Sequence, residues 1–128
     1  MSLCLWAGSS VTALGASAFT LIWTHSIEKS AWQEDWRLTG AGLVIEEARV
    51  TSTGAGMEPP AGAVLAGGVW HYRPALPPLA ELVLATSAAT APWRLCPSGR
   101  ACLTIPASPD AAPARIARCP DSNALRGK

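Results

Sequence analysis

The apolar residues of this chain recur mainly with period two, the spacing of extended strands rather than of helices. Over residues 18–26, Phe19, Leu21 and Trp23 fall on one side of an extended backbone and Thr20, Ile22 and Thr24 on the other. Glu28-Lys29-Ser30 has turn composition. On the returning strand Trp32, Glu34 and Trp36 share a face opposite Gln33, Asp35 and Arg37. Thr39-Gly40-Ala41-Gly42 turns the chain again into residues 43–51. There, strict alternation sets Leu43, Ile45, Glu47, Arg49 and Thr51 against Val44, Glu46, Ala48 and Val50.

The flanking segments read the same way. Leu3-Cys4-Leu5-Trp6 and Val11–Leu14 are short strands separated by a Gly-Ser turn and closed by Gly15. Residues 53–60 are a loop rich in Gly and Pro. Val64-Leu65 and Val69–Tyr72 then flank Gly67-Gly68, the composition of a two-residue hairpin. Pro74, Pro77 and Pro78 exclude a central strand. Residues 79–85 return to strand, and Trp93–Leu95 with Leu103–Ile105 form a last hairpin. Beyond Pro106 periodicity stops. Short strands with frequent turns and no helix of two turns predict an all-β fold, a small antiparallel sandwich or barrel over residues 3–105, with a disordered tail over 106–128. Its predicted core is Leu3, Leu5, Phe19, Leu21, Trp23, Trp36, Leu43, Ile45, Leu82, Leu84 and Leu95.

Composition narrows the function classes. The chain has 128 residues, room for one domain, and with 49% hydrophobic and 15% charged residues it can bury a core. Its net charge is +1 and no basic cluster occurs, so nucleic acid is not an expected partner. Leu3 to Thr24 is uncharged and long enough to span a bilayer. Its Ser, Thr and Gly content and the absence of a preceding Lys or Arg favour strands instead. Met1-Ser2 supplies no basic start to a secretory signal. The expected compartment is therefore the cytoplasm, with an extracytoplasmic or membrane-associated location as the alternative.

The four cysteines, Cys4, Cys96, Cys102 and Cys119, lack zinc-site spacing. Cys96 and Cys102 flank a turn that brings them within disulfide range. Cys4 reads as a small core residue.

The densest chemistry lies between Trp23 and Trp36, which hold three of the six tryptophans, one of the two histidines and the first charges of the chain. His25, Glu28, Glu34 and Asp35, with His71 or Glu58, are residue types that bind zinc, iron or manganese, but no paired-histidine spacing supports a metal site. His25 and Ser26 point to opposite faces of a strand and so do not form a base–nucleophile pair. Gly54-Ala55-Gly56 lacks the third glycine and the helix of a dinucleotide fingerprint. No catalytic residue, metal or cofactor is assigned. The candidate surface is His25, Glu28, Trp32, Glu34, Trp36, Gly54 and Gly56, an aromatic and acidic hairpin with its neighbouring loop.

Several segments, taken in order, resemble one bacterial family. They are His25-Ser26-Ile27-Glu28-Lys29, then Glu34, then Gly54-Ala55-Gly56-Met57-Glu58-Pro59-Pro60. Trp70-His71-Tyr72-Arg73-Pro74 and Leu95-Cys96 with Cys102 follow. Together they are similar to the domain of unknown function 1850, over Leu3 to about Ile105. The resemblance implies a small domain with no assigned reaction, often encoded near tripartite ATP-independent periplasmic (TRAP) transporters; some relatives carry an N-terminal apolar anchor. The expected function is a non-enzymatic accessory or interaction domain with transporter membrane or solute-binding components as partners. The alternative is a small metal-dependent or hydrolytic enzyme using His25 and nearby carboxylates. Oligomeric state is left open.

Overall fold

The structure, a computed structural model, describes residues 2–25, 30–51, 62–87, 92–108, 110 and 112–120. These residues form eleven strands and no helix. In chain order they are β1 (Leu3–Ala7), β2 (Ser10–Ala13), β3 (Ala18–His25), β4 (Ser30–Thr39), β5 (Gly42–Thr51) and β6 (Val64–Ala66). Then come β7 (Val69–Tyr72), β8 (Glu81–Leu84), β9 (Trp93–Pro97), β10 (Leu103–Ile105) and β11 (Ala114–Arg118). Two sheets result, a four-stranded one in the order β2-β1-β11-β8 and a seven-stranded one in the order β10-β9-β3-β4-β5-β7-β6. Every pairing between named strands is antiparallel. The uncharged N-terminal run is built into β1, β2 and β3.

The sheets face each other as a sandwich because each has one apolar face to bury. Leu3, Leu5, Leu84, Ala114 and Ile116 of the small sheet pack with Phe19, Leu21, Trp36, Leu38, Leu43, Ile45 and Leu95 of the large one. Nine of the eleven predicted core residues are buried; Trp23 and Leu82 sit at its margin, half-buried. The hairpin at Gly67-Gly68 forms as expected, with φ of 60° and 79°, the double left-handed turn that matches strand twist. Gly42 has a different reason to be glycine. Its φ is 126°, and a Cβ there would lie 2.6 Å from the carbonyl oxygen of Leu79. That close approach lets Leu43 and Leu79 exchange backbone hydrogen bonds of 2.7 and 2.9 Å, tying the β7–β8 connection to β5.

Three sequence expectations are corrected. The ordered domain does not end at residue 105. Ala114–Arg118 is β11, which lies between β1 and β8 and buries Ala114 and Ile116. Ala-Arg-Ile-Ala-Arg is an alternating strand, but its side chains are too small and charged to stand out in an Ala- and Pro-rich context. Residues 121–128 lie outside the described ones.

Cys4 is buried but not a free thiol. It is bonded to Cys119, 115 positions away, with Cα atoms 5.0 Å apart. β1 pairs with β11, which brings residues distant in sequence side by side and makes the bond sterically available.

Strict alternation in β5 also fails. Asp35 pairs with Glu47 but Trp36 pairs with Ile45, leaving Glu46 as the extra residue of a bulge. The bulge exchanges the faces, so Leu43 and Ile45 are followed inward by Ala48 and Val50 while Glu47 and Arg49 turn outward. Two charged groups thereby escape the core.

Candidate functional site

Cross-strand register assembles an aromatic row on the inner face of the large sheet, near the end of its long strands. Trp23 lies opposite Trp32, Trp32 opposite Val50, and Val50 opposite Trp70. Trp93 packs against Trp23 from β9, with ring centroids 5.0 Å apart at 52°, while Trp23 and Trp32 stack at 5.8 Å and 10°. Such cross-strand aromatic pairs stabilise the sheet by roughly 0.5–1.5 kcal/mol each beyond area burial. All four indoles remain half-buried, unlike Trp36, which is buried in the core. The indole N–H groups differ in their partners. Trp93 Nε1 donates to the carbonyl of Ala85 at 2.7 Å, and Trp36 Nε1 donates to Glu34 Oε1 at 3.0 Å. Trp32 Nε1 is buried with no acceptor among the described residues. A buried donor without a partner costs about 1–3 kcal/mol.

Glu34 shares this face, in register with Leu21 and Ala48, and Ala48 is in turn in register with Tyr72. Burial pushes the Glu34 carboxyl above its ordinary range, and the Trp36 hydrogen bond partly offsets that rise. Burial likewise raises the Tyr72 hydroxyl, with a further push from the nearby Glu34 charge. An acidic group with a shifted affinity for protons, set among tryptophans, is chemistry that a binding surface can use.

The outer face of the same sheet carries a separate charged network. Arg49 donates to Asp35 through Nη1 and Nη2 at 2.8 Å each, to Glu47 at 2.8 Å and to Gln33 at 3.1 Å. Thr20 donates to Asp35 at 2.8 Å, and His71 Nδ1 lies 2.8 Å from Glu47. The Arg49 hydrogen bonds hold the Asp35 carboxyl below its ordinary value. The His71 hydrogen bond, followed by Arg49, does the same for Glu47. Each member has its partners, so this network is a cross-strand clamp rather than a vacant catalytic site.

The structure separates the residue types that a metal or acid–base centre would need together. Glu34 faces inward, whereas Asp35, Glu47 and His71 engage outward. Among the described residues no group of three metal-binding side chains converges. Glu28, Gly54, Gly56 and Glu58 lie outside the described residues; the backbone of His25 pairs with Ser30, and its side chain lies outside them. Of the candidate surface, Trp32 and Glu34 stand together on the inner face, and Trp36 is 2% exposed and so belongs to the core. Sequence reasoning did not join Trp70 and Tyr72 to Trp32 and Glu34. Their common face follows from register across β5, which the bulge sets. Cys96 and Cys102, on the β9–β10 hairpin, are bonded with Cα atoms 4.1 Å apart.

Residues 19–103, well over half of the chain, match the model of a family described as Domain of unknown function (DUF1850). The match contains the seven strands of the large sheet but for the first residue of β3 and the last two of β10, and contains β8; β1, β2 and β11 lie outside it. Neither a curated protein nor a solved structure matches the chain.

Proposed function

This chain belongs to the DUF1850 family, and we propose that it is a non-enzymatic accessory domain working outside the cytoplasm, with the tryptophan row as its contact surface. The observation that carries the reading is the half-buried row of Trp23, Trp32, Trp70 and Trp93 on one face of the large sheet. Large aromatics at a partly open surface are what protein interfaces use as anchors.

Two disulfides support the compartment, since structural disulfides persist in oxidising environments and are rare in the cytosol. On that ground we favour the extracytoplasmic alternative over the cytoplasmic expectation. For the partner, the family resemblance supplies the class: the membrane or solute-binding components of a TRAP transporter.

The test is co-purification of those components with the tagged full chain, recovered from cells whose thiols have been trapped by alkylation. The expected result is retention by the native chain, loss of retention in Trp32→Ala and Trp70→Ala, and no change in Arg37→Gln on the opposite face. Four alkylated cysteines in the native chain would overturn the compartment. Retention that survives both tryptophan substitutions, or none by the native chain, would overturn the contact surface.

A further inference from the structure

A second concavity lies on the outer face at the β10-β9-β3 edge, beyond the charged clamp. Ile22, Arg94 and Thr104 form one cross-strand row there, because Ile22 pairs with Arg94 and Arg94 with Thr104. Thr24 and Pro92, two positions along their chains, continue the same face. Bordered along its floor by the backbone of Trp23 and Trp93, whose rings pack together on the inner face, this open groove measures about 370 Å³. That volume is at the lower end of small-molecule sites.

The polar inventory of the groove is one-sided. Arg37, Arg49 and Arg115 are each ion-paired with a carboxylate. Arg94 is exposed, and among the described residues no carboxylate or carbonyl pairs with it. Among the described residues no acidic side chain lines the groove; its other polar side chains are the hydroxyls of Thr24 and Thr104, and its outward apolar side chains are Ile22 and Pro92. A guanidinium presents a planar fork of donors matched to a carboxylate, and an apolar wall beside it suits a hydrocarbon or aromatic body.

We infer that this groove is a binding site for a small monocarboxylate with an apolar body. Arg94 holds the carboxylate, Thr104 or Thr24 donates a further hydrogen bond, and Ile22 and Pro92 pack the apolar body. A free small molecule fits the limited volume, and the site goes beyond the partner surface proposed above.

Phenylacetate and its uncharged isostere phenylacetamide are the probes, titrated calorimetrically into the full oxidised chain with backbone amide shifts followed by NMR. Phenylacetate is expected to bind with Kd of about 1 mM or tighter. Shifts should concentrate at Ile22, Thr24, Arg94 and Thr104, and the amide should bind at least about tenfold more weakly. Arg94→Gln, an exposed change that leaves the core intact, should weaken phenylacetate by about tenfold and leave phenylacetamide unchanged. Arg37→Gln should alter neither. Equal affinity for acid and amide, unchanged affinity in Arg94→Gln, or no binding of phenylacetate would overturn the inference. The transporter co-purification uses different variants, so either idea can fail alone.

Discussion

Removing the bond between Cys4 and Cys119 should cost this protein more than removing the one between Cys96 and Cys102, by an amount set by ring size. A cross-link stabilises chiefly by denying the unfolded chain conformations, and that loss grows with the logarithm of the residues enclosed. The two bonds span 115 and 6 positions. The chain-entropy relation assigns the long ring about 4.8 kcal/mol and the short one about 2.4 kcal/mol. For a chain of this length those values correspond to losses in Tm of about 18 °C and about 9 °C. The structure adds a reason for the first loss to be fully expressed. Cys4 is 2% exposed on β1, whose partner β11 delivers the C-terminal half of the bond, so the cross-link closes the middle of the small sheet. The assay is thermal and urea unfolding of the Cys4→Ala/Cys119→Ala and Cys96→Ala/Cys102→Ala variants. Reduction of the native chain separates ring opening from the packing change that alanine introduces at a buried site. If the long-ring variant lost no more stability than the short-ring variant, the assignment of Cys119 to Cys4 as a constraint on the whole chain would be refuted.

Glu34→Gln should stabilise the protein at neutral pH. Burial raises the folded-state pKa of Glu34 above its unfolded value, so the penalty for ionisation is full above the raised pKa and disappears as the pH falls through it; the gain from glutamine should shrink with it. Unfolding at several pH values reads this, and a gain independent of pH would contradict it. Arg49→Met should act in the opposite sense, costing about 1–2 kcal/mol at neutral pH by leaving Asp35, Glu47 and Gln33 without their shared donor. Because Asp35 and Glu47 titrate below their unfolded values, their stabilisation is present above those values and is lost as the pH falls through the depressed ones. The native and Arg49→Met unfolding curves should therefore converge in acid. Gly42→Ala should cost about 2 kcal/mol or more, since it combines a φ of 126° with a contact to backbone that cannot rotate away. Amide exchange should report the loosening first at Leu43 and Leu79, and native-like protection there would reject the close-approach argument.

The strands, most of the turns and most of the core were legible because period-two patterning and Gly or Pro punctuation are local properties. Phe19, Leu21, Leu43 and Leu95 are buried where alternation put them, and Gly67-Gly68 turns where its composition required. Local pattern failed wherever a contact between distant segments decided the outcome. An extra residue at Glu46 reverses which side of β5 is apolar, because burying Glu47 and Arg49 would cost more than breaking one pair in the ladder. Residues 114–118 have too little hydrophobicity to declare themselves a strand. They become one because β1 and β8 offer free backbone donors and acceptors on either side, and Ala114 and Ile116 meet a core already formed by others. Cys4 and Cys119 each look unremarkable alone, and only that pairing makes them one cross-link. Local patterning is enough to dictate that the chain is built of strands and to mark which residues seek the interior. Strand neighbours were settled only by tertiary packing, and with them which tryptophans share a face, which arginines meet a carboxylate and where Cys4 finds Cys119. Alternation is encoded within a few residues, whereas register and strand order depend on a global competition to satisfy every buried hydrogen bond and apolar face at once.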